Sequence, residues 1–280
     1  MALIYLDDIR LNAEISGPVG GAALVLIHAL GTNLRIWDDV LALLPDSLRV
    51  LRYDQRGHGA SDVPEPPYAM GALVRDAERL MGHFGLRDAV VLGVSLGGLV
   101  AQGLAVKRLD LVRGLVLSNT AAKIGSAEMW GARIAAVQAE GLPAYAPGAM
   151  ERMFGRKWRE AAAMPAVRAM LKATDPRGWV GCASAIAGTD FYTPTAGLTL
   201  PTLAIAGAND GTTPPDLVRE TAELIRGHRW HLMRGGGAFA NGGKARRLCR
   251  GADRLFARHW PCLTSCCCTA PATALGRGIW

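Results

Sequence analysis

The sequence lacks the features that mark membrane or exported proteins. Its longest apolar runs are about ten residues, roughly half of what a membrane-spanning helix needs. The first residues, MALIYLDDIRLNAEISG, combine acids with an alternating apolar pattern and do not resemble a secretory leader. We therefore expect a cytoplasmic protein that has no membrane partner.

Cysteine is almost absent from the body of the chain. Only Cys182 precedes residue 249, and the other five cysteines crowd the C-terminal part. The segment CLTSCCCTA has neither zinc-ligand spacing nor the context of a secreted disulfide framework. We expect no bound metal and no cofactor.

The first 230 residues also lack any excess of positive charge. The chain holds 31 Lys and Arg against 24 Asp and Glu, but residues 231–280 contain eight of the basic residues and one acid. No aromatic-basic motif accompanies this basic tail, so nucleic acid is not expected as a partner. The tail differs in composition from everything before it.

The chain does contain short apolar runs that alternate with longer helical patterns, which is typical of a parallel sheet covered by helices. The longer patterns lie at 68–86 and 95–109. The runs that predict buried strands are ALVLIHAL (23–30), RVLRYD (49–54), AVVLGVS (89–95), GLVLSN (114–119) and PTLAIAGA (201–208). The expected fold class is therefore α/β.

Residues 121–196 interrupt this alternation and are rich in Ala, Met, Arg and Trp at helical spacing. We predict an α/β core formed by residues 1–120 and 197–236, with residues 121–196 inserted as a helical cap. A cap over the strand ends would help to exclude water from a site beneath it. Ordinary helices that flank the sheet are the alternative interpretation.

The segment Gly93-Val94-Ser95-Leu96-Gly97 fits the pattern G-x-S-x-G between a predicted strand and a predicted helix. In that context the serine occupies a sharp, strained turn that exposes its hydroxyl, and the glycines prevent steric clashes. We predict that Ser95 is a nucleophile. A structural serine turn is the alternative.

A nucleophilic serine needs amide donors for the oxyanion that forms on the attacked carbonyl. The Leu96 amide at the helix N-terminus is one expected donor, and the Leu30 amide in the loop after the strand at 23–30 is the other. His28, in the same loop, and His58, within YDQRGHGASD, are interpreted as residues that organise loops rather than as bases.

Asp210 follows a predicted strand within LPTLAIAGANDGTTPP. A carboxylate there can orient an imidazole and stabilise its cation, so we predict that Asp210 is the acid of a catalytic triad. An N-cap or turn aspartate is the alternative, because Asp-Gly also suits a turn.

These segments together resemble bacterial 3-oxoadipate enol-lactonases, which are α/β-hydrolases. The resemblance covers about residues 10–235 and includes HALGTNLRIWD, LRYDQRGHGASD and, most specifically, NTAAKIGSAEMW (119–130). It implies the α/β-hydrolase fold and hydrolysis of a small acidic lactone to 3-oxoadipate.

A substrate with a carboxylate favours a cation in the pocket. Arg133 lies about one helical turn beyond Trp130 in the predicted cap. We predict that Arg133 binds the carboxylate and that Trp130 forms an apolar wall. The alternative is a surface arginine and a structural tryptophan.

The resemblance places the triad histidine after the strand RWHLMR, at about Gly237 or Ala238, and neither residue can act as a base. His228 and His231 come too early in the chain, and His259 comes too late. The chain as written therefore lacks the expected general base.

A change of reading frame near Gly237 accounts for this absence. Shifting the register by one nucleotide permits HLPMVEKPAAFAAALTAFLR in place of AFANGGKARRLCRGADRLFAR, which restores a histidine and a closing amphipathic helix. We therefore predict that residues 237–280 are out of frame and disordered, and that the chain as written is impaired. Other hydrolases of this fold, or an inactive hydrolase-like protein, are the alternatives.

Overall fold

The computed structural model describes residues 2–154 and 163–234. The strands are β1 (Ala2–Tyr5), β2 (Arg10–Ser16), β3 (Ala22–Ile27), β4 (Leu48–Tyr53), β5 (Ala89–Val94), β6 (Val112–Ser118), β7 (Thr202–Gly207) and β8 (Arg229–Met233). The helices are α1 (Asp38–Leu41), α2 (Met70–His83), α3 (Leu96–Lys107), α4 (Ala127–Phe154), α5 (Ala163–Ala173), α6 (Pro176–Ala187), α7 (Tyr192–Ala196) and α8 (Pro215–Glu223).

The described strands form one mostly parallel sheet in the order β1-β2-β4-β3-β5-β6-β7-β8. Strand β2 pairs antiparallel with both β1 and β4, and all the later pairings are parallel. The predicted α/β-hydrolase fold is confirmed. All five predicted strands are present, and the predicted helices at 68–86 and 95–109 correspond to α2 and α3.

The sheet is buried on both faces, which is why its central strands are continuously apolar. On β3, Val25 and Ile27 point into the larger core cluster, whereas Leu24 and Leu26 point into a second cluster on the opposite face. Successive side chains of a strand alternate between faces, so each apolar run supplies both layers.

Helices α4 to α7 connect β6 to β7, within the segment predicted as an inserted cap. Helix α4 packs against α5 and α6, and α6 also contacts α2 and α3. Helix α4 is broken at Gly141, whose φ of 78° lies outside the helical region, and Pro143 follows the break. We propose that residues 121–196 function as a cap over a core of 1–120 and 197–236.

The predicted out-of-frame segment, residues 237–280, lies outside the described residues. Within the described part of the chain, no helix combines the length and the apolar character needed to cross a bilayer.

Candidate active site

Ser95 lies in a sharp turn between β5 and α3. Its backbone has φ 54° and ψ −115°, a combination that residues with a β-carbon rarely adopt. The Ser95 amide donates to the Ser118 carbonyl at 3.1 Å, and the Thr120 hydroxyl donates to the Ser95 carbonyl at 2.7 Å. Neighbouring strand β6 and the loop after it therefore hold the strained turn in place.

Two positions near Ser95, Gly93 and Gly97, leave no room for a β-carbon because backbone atoms lie too close. A β-carbon on Gly93 would lie 2.1 Å from the Gly97 carbonyl oxygen, and one on Gly97 would lie 2.2 Å from the Ile27 carbonyl oxygen. Both distances are far below van der Waals contact. The G-x-S-x-G spacing thus follows from the packing of the turn against itself and against β3.

The two amides predicted for the oxyanion hole are available. Among the described residues, neither the Leu30 amide nor the Leu96 amide has a hydrogen-bond acceptor. Leu96 begins α3, where the first amides of a helix have no intrahelical partner. Leu30 and Ser95 line the same cavity, which brings one of the two predicted donors close to the serine.

His28 and His58 form hydrogen bonds with the loops beside this cavity. Both rings are buried. His58 Nε2 accepts from the Gly31 amide at 2.9 Å, and His28 Nε2 accepts from the Gln55 amide at 2.9 Å. Burial lowers the pKa of both, to about 3 for His58, so both remain neutral and their basic nitrogens are already occupied.

Asp210 is 4% exposed and lies in the turn that follows β7. One carboxylate oxygen accepts from the amides of Thr212 and Thr213, at 2.8 and 3.1 Å. The other accepts from the Thr213 hydroxyl and from the Asn119 side-chain amide, both at 2.8 Å. Burial raises the pKa of Asp210, and the four hydrogen bonds oppose that rise.

Asn119 is a site residue that the sequence did not single out. It follows β6, is fully buried, and has a left-handed backbone with φ 47°. Its side chain joins the loop after β6 to the Asp210 carboxylate. An Asn-Thr pair at a strand end was the available signal, because asparagine tolerates the left-handed region better than most residues.

Neither described histidine near the C-terminal strand lies in the cavity with Ser95. His228 donates from Nδ1 to the Ile225 carbonyl at 2.9 Å, and His231 is an exposed residue of β8. The expected histidine position at Gly237 or Ala238, and His259, lie outside the described residues.

The cavity in front of Ser95 is narrow, with a volume of about 30 Å³, and is partly open to solvent. It contains both residues predicted to bind substrate, Trp130 and Arg133. The lining residues are Leu30, Ser95, Trp130, Arg133, Tyr145, Ala149, Arg152, Met153, Leu171, Trp179 and Thr212. Most of them come from α4 to α6, so the inserted helices form the wall that faces the serine.

Trp130 is 3% exposed, and its indole N–H donates to the Ile124 carbonyl at 2.6 Å. The Arg133 guanidinium lies over the Trp130 ring, 4.8 Å from its centroid. Burial lowers the pKa of Arg133, and the nearby positive charge of Arg152 lowers it further. Since an arginine pKa remains far above neutrality, Arg133 brings a full charge into the cavity.

Among the described residues, no group of His, Cys, Asp and Glu side chains could hold a metal ion. The chemistry available in the described part of the site is that of a hydroxyl, backbone amides, a buried carboxylate and two guanidinium groups.

Residues 22–151 match the family model of the α/β hydrolase fold. The chain is 35% identical to 3-oxoadipate enol-lactonase 2 of Acinetobacter baylyi over 209 residues, which are 74% of this chain and 78% of that protein.

Two solved structures are similar over most of their length. An enol-lactonase from Burkholderia xenovorans LB400 is 31% identical, with a TM-score of 0.86 over 91% of this chain and all of that one. A malate-bound thermophilic esterase from Thermogutta terrifontis is 27% identical, with a TM-score of 0.81 over 89% of this chain and 93% of that one. The chain therefore belongs to the α/β-hydrolase family, within the group of ester hydrolases that contains the 3-oxoadipate enol-lactonases.

Proposed function

We propose that the protein hydrolyses 3-oxoadipate enol-lactone to 3-oxoadipate, with Ser95 as the nucleophile. The observation that carries this proposal is the strained turn at Ser95, which faces a cavity that also contains a predicted oxyanion donor and Arg133. Sequence similarity to an enol-lactonase over about three quarters of the chain supports the choice of substrate.

In the proposed reaction the Ser95 hydroxyl oxygen attacks the lactone carbonyl and a general base takes its proton. The amides of Leu30 and Leu96 hold the resulting oxyanion. The ring C–O bond then breaks, and the enolate that leaves is protonated and tautomerises to a ketone. Water hydrolyses the acyl-serine bond, which frees Ser95 and releases a carboxylate. The chain's own residues thus account for the nucleophile and for charge stabilisation.

We propose that Arg133 binds the carboxylate that the lactone already carries and that Trp130 packs against its apolar part. The Arg133 guanidinium lies over the Trp130 ring, and its planar fork of donors can form two parallel hydrogen bonds to a carboxylate. The malate in the Thermogutta esterase is an acidic ligand in a protein of the same fold, which agrees with an acidic substrate here.

The general base is the missing part. Asp210 is buried and held by four donors, which suits an acid that orients an imidazole. The family would place that imidazole near Gly237 or Ala238, where the printed sequence has none. We propose that the frame-restored sequence supplies it and that the chain as written is impaired.

The test compares three proteins on the enol-lactone: the chain as written, the frame-restored chain, and the frame-restored chain with Ser95→Ala. Loss of the triad histidine lowers turnover by about a million-fold in a well-studied serine hydrolase. We expect activity from the frame-restored chain alone. Turnover of neutral esters without any preference for the acidic lactone would instead identify a different esterase. Equal activity of the first two proteins would contradict the proposed loss of the base.

A further inference from the structure

The cavity contains a second cation that the sequence did not single out. The Arg152 guanidinium lies over the Tyr145 ring at 5.2 Å, much as Arg133 lies over Trp130 at 4.8 Å. The Trp179 ring lies 6.5 Å from that of Trp130 and 5.1 Å from that of Tyr145, measured between centroids. The three aromatic rings therefore form one cluster, and two guanidinium groups of the same cavity lie over it.

Neither guanidinium has a carboxylate partner within the described residues, and the cavity lining contains no Asp or Glu. Two other arginines among the described residues, both with little exposed side-chain surface, are paired with carboxylates. Arg56 lies 2.6 Å from the Asp76 carboxylate, and Arg52 lies 3.1 Å from that of Glu14. The absence of a carboxylate partner among the described residues thus distinguishes Arg133 and Arg152 from Arg52 and Arg56.

Two like charges in one partly buried cavity disfavour each other. The pKa of Arg133 is lowered by burial and by the charge of Arg152, and no carboxylate raises it. Such a pair is stabilised when an anion occupies the cavity and accepts hydrogen bonds from both groups.

The backbone of Arg152 is also hydrogen-bonded to the loop that contains Asp210, the predicted acid. Its backbone carbonyl accepts from the Gly211 amide at 2.8 Å, directly after Asp210. Helix α4 therefore places Arg152 at the side of the cavity next to the catalytic loop.

We infer that Arg152 is a second anion-binding residue, so that the cavity takes short chains with a carboxylate at each end. This inference rests on the proposed function. The lactone enters with one carboxylate, bound by Arg133, and hydrolysis of the acyl-serine bond after ring opening creates a second. Arg152, beside the Asp210 loop, binds this new carboxylate. The preferred substrates are then small lactones that carry a carboxylate, and their dicarboxylate products remain as competitive inhibitors.

Binding tests this inference without any need for catalysis. Trp130 and Trp179 line the cavity, so their fluorescence reports its occupation. The probes are adipate and monomethyl adipate, which have the same chain length and differ by one negative charge. We expect adipate to bind at least about tenfold more tightly, since a hydrogen bond to a charged group contributes about that factor.

The variants Arg152→Gln and Arg133→Gln should each abolish the preference for adipate. Arg219→Gln is the matched control, because Arg219 is exposed on α8 and pairs with Glu223 outside the cavity. Arg152→Lys keeps the charge and should keep part of the preference. Thermal unfolding of each variant shows that the fold is intact.

Equal affinities for the two probes, or an adipate preference that survives in Arg152→Gln, would overturn the assignment of Arg152. Failure to bind either probe would overturn it as well. These binding outcomes do not depend on the proposed reaction. The proposed reaction fails separately, if the frame-restored chain shows no lactone cleavage that depends on Ser95.

Discussion

Replacing Ser95 by glycine should stabilise the folded protein while removing its nucleophile. The backbone at Ser95 has φ 54° and ψ −115°, which glycine adopts readily and residues with a β-carbon do not. Its side chain makes no hydrogen bond to any residue in the described ranges, so glycine would remove no such interaction.

The size of the gain follows from two opposing effects. A non-glycine residue in such a conformation is strained by about 1–3 kcal/mol. Against this gain, glycine lowers the free energy of unfolding by about 0.5–1 kcal/mol, because it has more backbone freedom in the unfolded chain. The net stabilisation is therefore about 1 kcal/mol, which corresponds to a rise of roughly 2–4 °C in Tm for a chain of this size.

Urea unfolding of the Ser95→Gly variant measures this change directly. Ser95→Ala is the matched control, because it also lacks the hydroxyl but keeps the β-carbon and hence the strain. We expect the midpoint of the glycine variant to exceed that of the alanine variant. If both unfold at the same urea concentration, the turn is not strained by its side chain and the argument for a built nucleophile position fails.

Further predictions concern the acid, the turn and the pocket. Burial raises the folded-state pKa of Asp210 above 3.8, so its stabilising contribution is complete below that pH and is lost as the pH rises through the raised pKa. Asp210→Asn should therefore become progressively more stable relative to the parent as the pH rises from 3.8 through the raised pKa, as measured by Tm, and a constant difference would contradict this. Gly97→Ala places a β-carbon 2.2 Å from the Ile27 carbonyl and should lower the free energy of unfolding by about 3 kcal/mol, whereas Gly71→Ala, in open space on α2, should raise it by about 0.5–1 kcal/mol. In the frame-restored chain, Arg133→Glu should raise KM for acidic lactones at least about tenfold while leaving neutral esters unaffected, and an unchanged KM would remove Arg133 from the pocket.

The sheet could be predicted because each parallel strand is buried on both faces and so has a continuous apolar run. AVVLGV and TLAIAG are such runs, and they became β5 and β7. The turn at Ser95 was visible for a related reason, since it needs small residues at fixed positions around the serine.

Other features depend on tertiary contacts that leave no local pattern. Arg152 and Tyr145 look like ordinary residues of a surface helix. Their place beside Ser95 arises from the packing of α4 against α5 and α6, which no periodicity encodes.

The polar contacts of the site were also only partly predictable. Asp210 was predicted as the acid from its place after a strand, but its pairing with Asn119 joins residues 91 positions apart in the chain. Trp130 was expected as an apolar wall. Its role as the platform for Arg133, and its contact with Trp179, required the folded arrangement.

The most direct test of the account is covalent labelling with an activated phosphonate ester, followed by peptide mapping of the adduct. The phosphonate mimics the tetrahedral intermediate and requires both an activated serine and its amide donors. The account predicts a single adduct on Ser95 in the frame-restored chain and a far slower reaction in the chain as written. Labelling at another residue, or equally fast labelling of both chains, would contradict it.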